Sequence, residues 1–172
     1  MGEKMMGYSN RFTAPFNSPI EIGLRAISIL TDAYPSGCSL QRLIIFDYLS
    51  VHSDDISGGP VGLHPKTPHR SGELFVRRDA LQKGLLLFMG RGLAEQRFEM
   101  NGVTYAATER TGAFLDVLDS EYVADLRQRT CWLVDTFHKA SDEELNSLVQ
   151  QNLGAWGAEF EMESVLRMGD VK

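Results

Sequence analysis

Cysteine and long apolar runs are both scarce in this sequence. The 172 residues include 2 cysteines, and the wide separation of Cys38 and Cys131 excludes the paired spacings of a zinc framework or a redox CxxC motif. Two isolated thiols without an apolar leader segment favour a reducing compartment, so we expect a cytoplasmic protein. The longest apolar run, Leu85 to Met89, is far shorter than the ~20 residues that a membrane helix requires. We therefore expect no contact with a membrane.

Positive charge is also in short supply. Lys and Arg total 17 against 23 for Asp and Glu, which gives a formal net charge of −6. This balance disfavours a freestanding nucleic-acid binder, because such proteins bind mainly by neutralising phosphates. The acidic excess is concentrated in residues 141–172, where 7 acidic residues accompany 2 basic ones. We interpret that segment as a solvated face in preference to a surface for a basic partner.

The familiar catalytic and metal-binding motifs are absent as well. The sequence contains no HExxH zinc motif, no GxSxG nucleophile elbow, no phosphate-binding P-loop and no calcium loop. Without a self-sufficient set of catalytic residues, we expect a protein that is not an enzyme and that needs neither a metal nor a cofactor.

The segment His52–Arg70 is the richest in groups that bind metals. It holds three of the 4 histidines and two adjacent aspartates, interleaved with prolines and glycines. A metal-dependent hydrolase, kept as an alternative function, would use His52, Asp54, His64 and His69. We favour a structural role, because His64-Pro65 and Thr67-Pro68-His69 are typical of turns in a tightly folded connector. Long loops inside a domain are usually functional or disordered, and we expect this one to be ordered and to make contacts.

Two helices are predicted at the start of the periodic region. Ser18-Pro19-Ile20-Glu21 is a capping box that begins the first helix, and Pro35-Ser36-Gly37 ends it. Ser39 caps a second helix, in which Asp47 lies on the apolar stripe. A buried aspartate requires a partner, since an unpaired buried charge is very unfavourable.

A third helix and a hairpin follow the long loop. The amphipathic pattern from Val76 to Phe88 ends near Gly90 or Gly92, and Asn101-Gly102 between two alternating segments is a strong hairpin signal. Three helices followed by a hairpin are typical of a winged helix-turn-helix. We therefore predict a mainly α protein in which a winged helix-turn-helix is extended by two or three C-terminal helices.

The same pattern predicts the domain organisation. Residues 1–17 lack periodicity and form a flexible or docking arm. Residues 18–107 form the winged-helix domain, with a long inserted loop at 52–72. Residues 108–172 form a C-terminal helical extension.

A winged-helix transcription regulator is a second alternative function. Its candidate DNA contacts are Arg77, Arg78, Lys83 and Arg97, on the third helix and the hairpin. Two features oppose DNA reading: the short turn before the third helix is replaced by the long loop, and Glu95 and Glu99 flank Arg97. We favour intramolecular pairing, in which Arg77 and Arg78 bind carboxylates such as Asp47 or Asp79.

The joint order of several short motifs resembles one bacterial family. They are Phe16-Asn17-Ser18-Pro19-x-Glu21-x-Gly23-Leu24-Arg25, Leu40-x-Arg42-Leu43, Asp47-Tyr48, His52-x-Asp54, Gly59-Pro60, Leu63-His64-Pro65, Arg70-x-x-Glu73-x-x-x-Arg77-Arg78, Gly84-Leu85, Asn101-Gly102-x-x-Tyr105, and Ser120-x-Tyr122 through Arg129 and Trp132. Across residues 16–138 the chain is similar to the second type of middle component of ABC-three-component systems, which is closely related to the small accessory subunit of Lamassu anti-phage defence.

The resemblance implies a non-enzymatic winged-helix subunit. Its partners would be an SMC-like ABC ATPase and an effector, often a nuclease, and it would help to couple DNA sensing to effector release. DNA would be engaged mainly through the complex. The resemblance also implies that the following motif residues bind a partner or shape the interface beneath it: Phe16, Asn17, His52, Asp54, His64, Arg70, Glu73, Arg77 and Arg78.

Overall fold

The computed structural model describes residues 17–65 and 70–153. This part of the chain is mainly helical and contains a small antiparallel sheet, as predicted. The elements, in chain order, are α1 (Pro19–Ala33), β1 (Cys38–Ser39), α2 (Leu40–Val51), a 3₁₀ turn (Ser53–Asp55), α3 (Arg70–Met89), β2 (Ala94–Glu99), β3 (Gly102–Ala107), α4 (Thr111–Asp116), α5 (Glu121–Phe137) and α6 (Asp142–Leu153).

The starts of α1 and α2 follow from their capping residues. The Ser18 hydroxyl accepts a hydrogen bond from the backbone N–H of Glu21 at 3.3 Å, and the Glu21 carboxylate accepts one from the backbone N–H of Ser18 at 3.0 Å. The Ser39 hydroxyl accepts from the backbone N–H of Arg42 at 3.0 Å. Both predicted caps are therefore confirmed, and each satisfies donors that a helix start leaves free.

The sheet has the strand order β1-β3-β2. The hairpin pairs β2 with β3 from Ala94↔Ala107 to Glu99↔Gly102, so the two turn residues are Met100 and Asn101. The hairpin is where it was predicted, but its turn lies one residue before the predicted Asn101-Gly102, because Gly102 is already paired as the first residue of β3. Gly102 has a φ of +121°, a backbone conformation that glycine adopts without steric strain. The short strand β1 pairs with β3 through Cys38↔Tyr105, which attaches the hairpin to the turn between α1 and α2.

Helices α1 and α3 cross at two glycines. A Cβ atom added at Gly84 would lie 2.4 Å from the carbonyl oxygen of Pro19 and 2.7 Å from the backbone nitrogen of Gly23. Only backbones without side chains can approach this closely. The crossing fixes α3 against α1 and determines which α3 residues point into the core, among them Leu81 and Leu85.

One hydrophobic cluster joins the segments on both sides of the predicted boundary at residue 107. It contains Ile22 and Leu30 of α1, Ile45 of α2, Leu133 of α5 and Leu145 of α6. The described part of the predicted extension is thus built onto the same core as α1 and α2. Helix α3 begins at Arg70, inside the range predicted for the inserted loop.

Arg42 attaches the start of α6 to α2. Its Nε donates to the Asp142 carboxylate at 2.9 Å, and its guanidinium also donates to the carbonyl oxygens of Phe137 and Ala140. The Ser39 hydroxyl donates to the other oxygen of Asp142 at 2.6 Å. The Arg42 side chain therefore bonds both the backbone carbonyls at the end of α5 and the carboxylate at the beginning of α6.

Replacing Arg42 by Ala is expected to lower the free energy of unfolding by about 1–3 kcal/mol, because hydrogen bonds to a charged group are lost and carbonyls are left unsatisfied. Urea denaturation measures this change. The matched control is Arg127→Ala, which removes an ion pair with Asp116 whose side chains are 38% and 66% exposed and is expected to change stability by less than about 1 kcal/mol. Equal losses in the two variants would contradict the role assigned to Arg42.

Candidate functional site

A fully buried group of three charged side chains lies between α1, α2 and α3. Asp47 of α2 accepts hydrogen bonds from Arg25 Nε at 2.6 Å and Arg25 Nη2 at 3.3 Å. It also accepts one from Arg77 Nη1. Each of the three residues is at most 1% exposed. We call Arg25, Asp47 and Arg77 the charge centre.

The charge centre stays ionised because its members stabilise each other. Burial by itself would raise the pKa of Asp47, but the charges and hydrogen bonds of Arg25 and Arg77 outweigh burial, and the pKa lies below its ordinary value. Burial would lower the pKa of Arg25, and Asp47 reverses that effect and raises it. The intramolecular pairing of Arg77 with Asp47 is thus present, and Arg25 is a second partner that the sequence analysis did not identify.

Aromatic side chains extend this group toward the segment after α2. The Arg77 guanidinium lies 5.5 Å from the centre of the Tyr48 ring, within the range of a cation–π contact. The Tyr48 ring is 4.6 Å from the His52 ring, and the Tyr48 hydroxyl donates to the Asp55 carboxylate. Tyr48 therefore connects the charge centre to the residues that follow α2.

Residues 52–65, which we call the connector, fold into a compact loop. The backbone N–H groups of Leu63 and His64 donate to the Val51 carbonyl at 2.9 and 3.1 Å, which closes the loop onto the end of α2. The Ser53 hydroxyl donates to the Pro60 carbonyl at 2.9 Å, and Arg129 Nε of α5 donates to the Val61 carbonyl at 2.9 Å. These hydrogen bonds attach the described part of the loop to α2 and α5.

Close contacts inside the connector require glycine at position 59. A Cβ atom at Gly59 would lie 2.1 Å from the Ser53 carbonyl oxygen and 3.0 Å from that of Ile56. Both contacts are with backbone atoms, which cannot rotate away. The Gly59-Pro60 pair of the sequence motif therefore has a steric explanation.

His64 joins the connector to α5. Its Nε2 is 3.0 Å from the Tyr122 hydroxyl, and the two rings are stacked with centres 6.1 Å apart. Burial lowers the pKa of His64 to about 4, and the charges of Arg25, Arg77 and His52 act in the same direction. At neutral pH the imidazole is therefore uncharged, and one hydrogen bond links it to Tyr122.

This pKa predicts an acid-sensitive contribution to stability. The unfolded chain protonates His64 near pH 6.5, whereas the folded chain does so near pH 4. The stabilisation is thus complete above pH 6.5 and is lost as the pH falls to about 4, because the unfolded state then binds the additional proton. Urea denaturation at several pH values in this window is expected to give a flatter pH dependence for His64→Gln than for the wild type. The exposed His138 supplies the control, since His138→Gln is expected to keep the wild-type slope; identical slopes in all three proteins would refute the assignment.

The remaining predicted interface residues have several different placements. Phe16 lies outside the described residues, and Asn17 accepts a hydrogen bond from Arg25 Nη2 at 3.4 Å. His52 is buried and Asp54 is exposed at the surface of the connector. Arg70 and Glu73 belong to α3, but their side chains are outside the described part of the structure.

The four candidate DNA contacts do not form one exposed basic surface. Arg77 is enclosed and bound to Asp47, which leaves its guanidinium inaccessible to a phosphate, and Arg78 is half-buried. Lys83 is 62% exposed and pairs with Asp79 at 2.7 Å. Arg97 pairs with Glu95 at 2.8 Å and donates to the Pro35 carbonyl at 2.8 Å. The direct-contact prediction for Arg77 is therefore wrong for this conformation, because folding uses its charge to neutralise Asp47.

The proposed metal ligands are not grouped as a metal site requires. His52 and His64 are edge to face with ring centres 6.3 Å apart, and His64 already bonds Tyr122. Within residues 17–65 and 70–153, no three His, Cys, Asp or Glu side chains are arranged to hold an ion. His69 lies outside the described residues.

The fold and the site define a mainly helical protein whose characteristic polar residues form a buried charge centre beneath an ordered connector. None of the helices that the structure describes is both long and apolar enough to span a bilayer. The family model described as "ABC-three component (ABC-3C) system Middle Component 2" matches residues 15–159. The chain therefore belongs to the middle component 2 family of ABC-three-component systems. No curated protein and no solved structure matches it.

Proposed function

We propose that this chain is a non-enzymatic accessory subunit of a bacterial anti-phage defence complex of the Lamassu type. It binds an SMC-like ABC ATPase and helps to couple DNA sensing to the control of a nuclease-type effector. The observation that carries this proposal is the family match over residues 15–159, since a middle component of a three-component system has partner subunits.

The arrangement of elements supports a modified winged helix. Helices α1, α2 and α3 precede the β2–β3 hairpin, and β1 pairs with β3 beside it, as in a winged helix-turn-helix. In a DNA-reading winged helix the third helix would present basic side chains to a major groove. Here Arg77 of α3 is used inside the protein, and the connector lies between α2 and α3. These features favour a module that contacts other proteins.

The connector is the part of the surface that this proposal assigns to partner contact. Asp54 and Val61 are exposed on it, and Val61 is 76% exposed although its side chain is apolar. Within the connector, His52 is buried against Tyr48 and His64 bonds Tyr122 of α5, and these contacts favour one conformation of the loop. A preformed loop binds with a smaller loss of conformational entropy than a flexible one, which is the advantage of a buried support.

The proposed mechanism is restraint of the effector. In the resting complex the subunit lies near the ATPase heads and stabilises the inactive assembly. When foreign DNA engages the ATPase, the assembly changes and the effector is released. The middle component supplies contact surfaces, and the partner subunits supply the chemistry.

Reconstitution of the three components tests this mechanism. The ATPase and effector are assayed for DNA cleavage with and without this chain, before and after addition of activating duplex DNA. The expected result is low cleavage by the full complex until duplex is added, and unrestrained cleavage when this chain is omitted. Cleavage that is the same with and without the chain under both conditions would refute the restraint mechanism.

A further inference from the structure

A groove with a volume of about 650 Å³ lies between the β2–β3 hairpin and the C-terminal half of α5. Buried apolar side chains of Cys38, Phe46 and Val134 line it, together with the half-exposed Val103. Its volume is in the range of about 300–1,000 Å³ that is typical of small-molecule and side-chain sites. None of the residues that line the groove belongs to the charge centre or to the connector.

Carboxylates dominate the charged lining of this groove. Asp32, Glu99, Asp135 and Asp142 line it. The basic residues of the lining are His138 and Arg42, and Arg42 pairs with Asp142. Among the described residues, Asp32, Glu99 and Asp135 have no ion-pair partner within 4.0 Å, although Glu99 accepts from the Thr104 hydroxyl at 3.2 Å. The groove therefore combines an apolar lining with uncompensated negative charge.

One carboxylate oxygen of Asp32 could accept a hydrogen bond from a donor on another molecule. Its Oδ2 atom is shielded from solvent and accepts no hydrogen bond from the part of the chain that the structure describes. Burial raises the pKa of Asp32, and the charge of Asp135 adds to that shift against the opposing effects of Thr130 and Arg127. Shielded acceptors are nearly always satisfied by a donor. A positively charged donor entering from outside would satisfy this oxygen and relieve the repulsion between the two carboxylates.

We propose that the groove is the docking site for a lysine- or arginine-bearing segment of a partner subunit. The inference rests on the proposed function, because it assigns a second contact surface to the same accessory subunit. The apolar lining receives the aliphatic part of the basic side chain, and Asp32 and Asp135 bind its charged end. Long basic side chains bury their methylene groups in this manner while the charge meets polar atoms. Charge complementarity selects this occupant over an acidic or wholly apolar segment.

Binding of the full-length chain to the purified ATPase–effector complex tests the groove. The double variant Asp32→Asn with Asp135→Asn keeps the shapes of both side chains and removes the two charges. We expect its affinity to fall by at least about tenfold, with the larger part of the loss at low salt. The matched control, Glu109→Gln with Asp119→Asn, changes the net charge equally at exposed positions and is expected to bind like the wild type. Thermal unfolding of both variants checks that each is folded.

The outcomes separate the groove from the proposed function. If the wild type fails to bind either partner, the proposed function itself is overturned. If the wild type binds and the groove variant binds equally well, the groove inference alone is overturned. Carbodiimide cross-linking of the wild-type complex then identifies the occupant: a bond from Asp135 or Glu99 to a partner lysine supports the inference, whereas a bond only to Lys4 of the same chain or to a second copy contradicts it.

Discussion

Replacing Asp47 by Asn is expected to lower the free energy of unfolding by about 3–5 kcal/mol, which is the usual effect of removing one partner from a buried ion pair. Asn keeps the shape of the side chain, so the loss reports the charge. Arg25 and Arg77 would then both lose the buried carboxylate to which they donate hydrogen bonds. Urea denaturation followed by circular dichroism at pH 7 measures the change.

Asp79→Asn is the matched control for this prediction. Asp79 pairs with Lys83 at the surface, where the two side chains are 70% and 62% exposed. Surface pairs of this kind contribute about 0.3–0.5 kcal/mol. A loss below about 1 kcal/mol for Asp47→Asn would mean that the charge centre is not a buried network.

A triple replacement tests what the three buried charges contribute to stability and to the position of the connector. Arg25→Met, Asp47→Leu and Arg77→Met together remove all three charges, and such substitutions are often neutral or stabilising. We expect the triple variant to unfold at or above the urea midpoint of Asp47→Asn. We also expect it to hold the connector less rigidly, which faster amide exchange at Leu63 and His64 would reveal. Unchanged exchange would mean that the charge centre does not position the connector.

Replacing Gly84 by Ala is expected to lower the free energy of unfolding by about 1–3 kcal/mol, as overpacking of a core does. The added methyl group would meet the backbones of Pro19 and Gly23, and neither can move without separating α1 from α3. The helix propensity of Ala exceeds that of Gly by about 1 kcal/mol, so the steric effect acts against a local gain. Denaturation midpoints measure the net result.

Gly112→Ala is the control for the glycine crossing. Gly112 lies in α4, and a Cβ atom added there meets no other atom within 4 Å. This variant is expected to be as stable as the wild type or slightly more stable. If Gly84→Ala behaves in the same way, α1 and α3 do not approach each other as closely as the structure has them.

The parts of the fold that were predictable from the sequence are those that local chemistry determines. Ser18 and Ser39 predict helix starts because the hydroxyl of a capping serine bonds a backbone N–H only three residues further along the chain. Asn101-Gly102 indicates the hairpin because Gly102 adopts a positive φ directly after the turn, although the turn residues themselves are Met100 and Asn101. The strand Cys38–Ser39 carried no such signal, since it exists only through its pairing with Tyr105 and Thr104.

Only part of the charge centre, the pairing of Asp47 with Arg77, was predictable from the sequence. An aspartate on an apolar stripe demands a cation, and this rule led from Asp47 to Arg77. It did not select Arg25, although Arg25 stands in the quoted motif, because the cations that reach Asp47 are determined by how α1 and α3 pack against α2. Tyr122 was missed as a partner of His64 for the same reason, because the contact forms only when α5 packs beside the connector.

The histidines of the connector illustrate how one residue pattern fits two structures. His52 and His64 have the chemistry of metal ligands, and the sequence spacing permitted that alternative. Contacts with the rings of Tyr48 and Tyr122 give them a different use, in which packing of the imidazole rings matters more than ligand geometry. Distances between rings, which no spacing rule supplies, separate the two interpretations.

Co-purification tests the central claim most directly. A tagged copy of this chain is expressed with the products of its neighbouring genes, and the composition of the purified material is determined by native mass spectrometry. We expect a stoichiometric complex with an ABC ATPase and an effector that forms without added DNA. A tagged chain that elutes alone, while the other two proteins are expressed and folded, would contradict it.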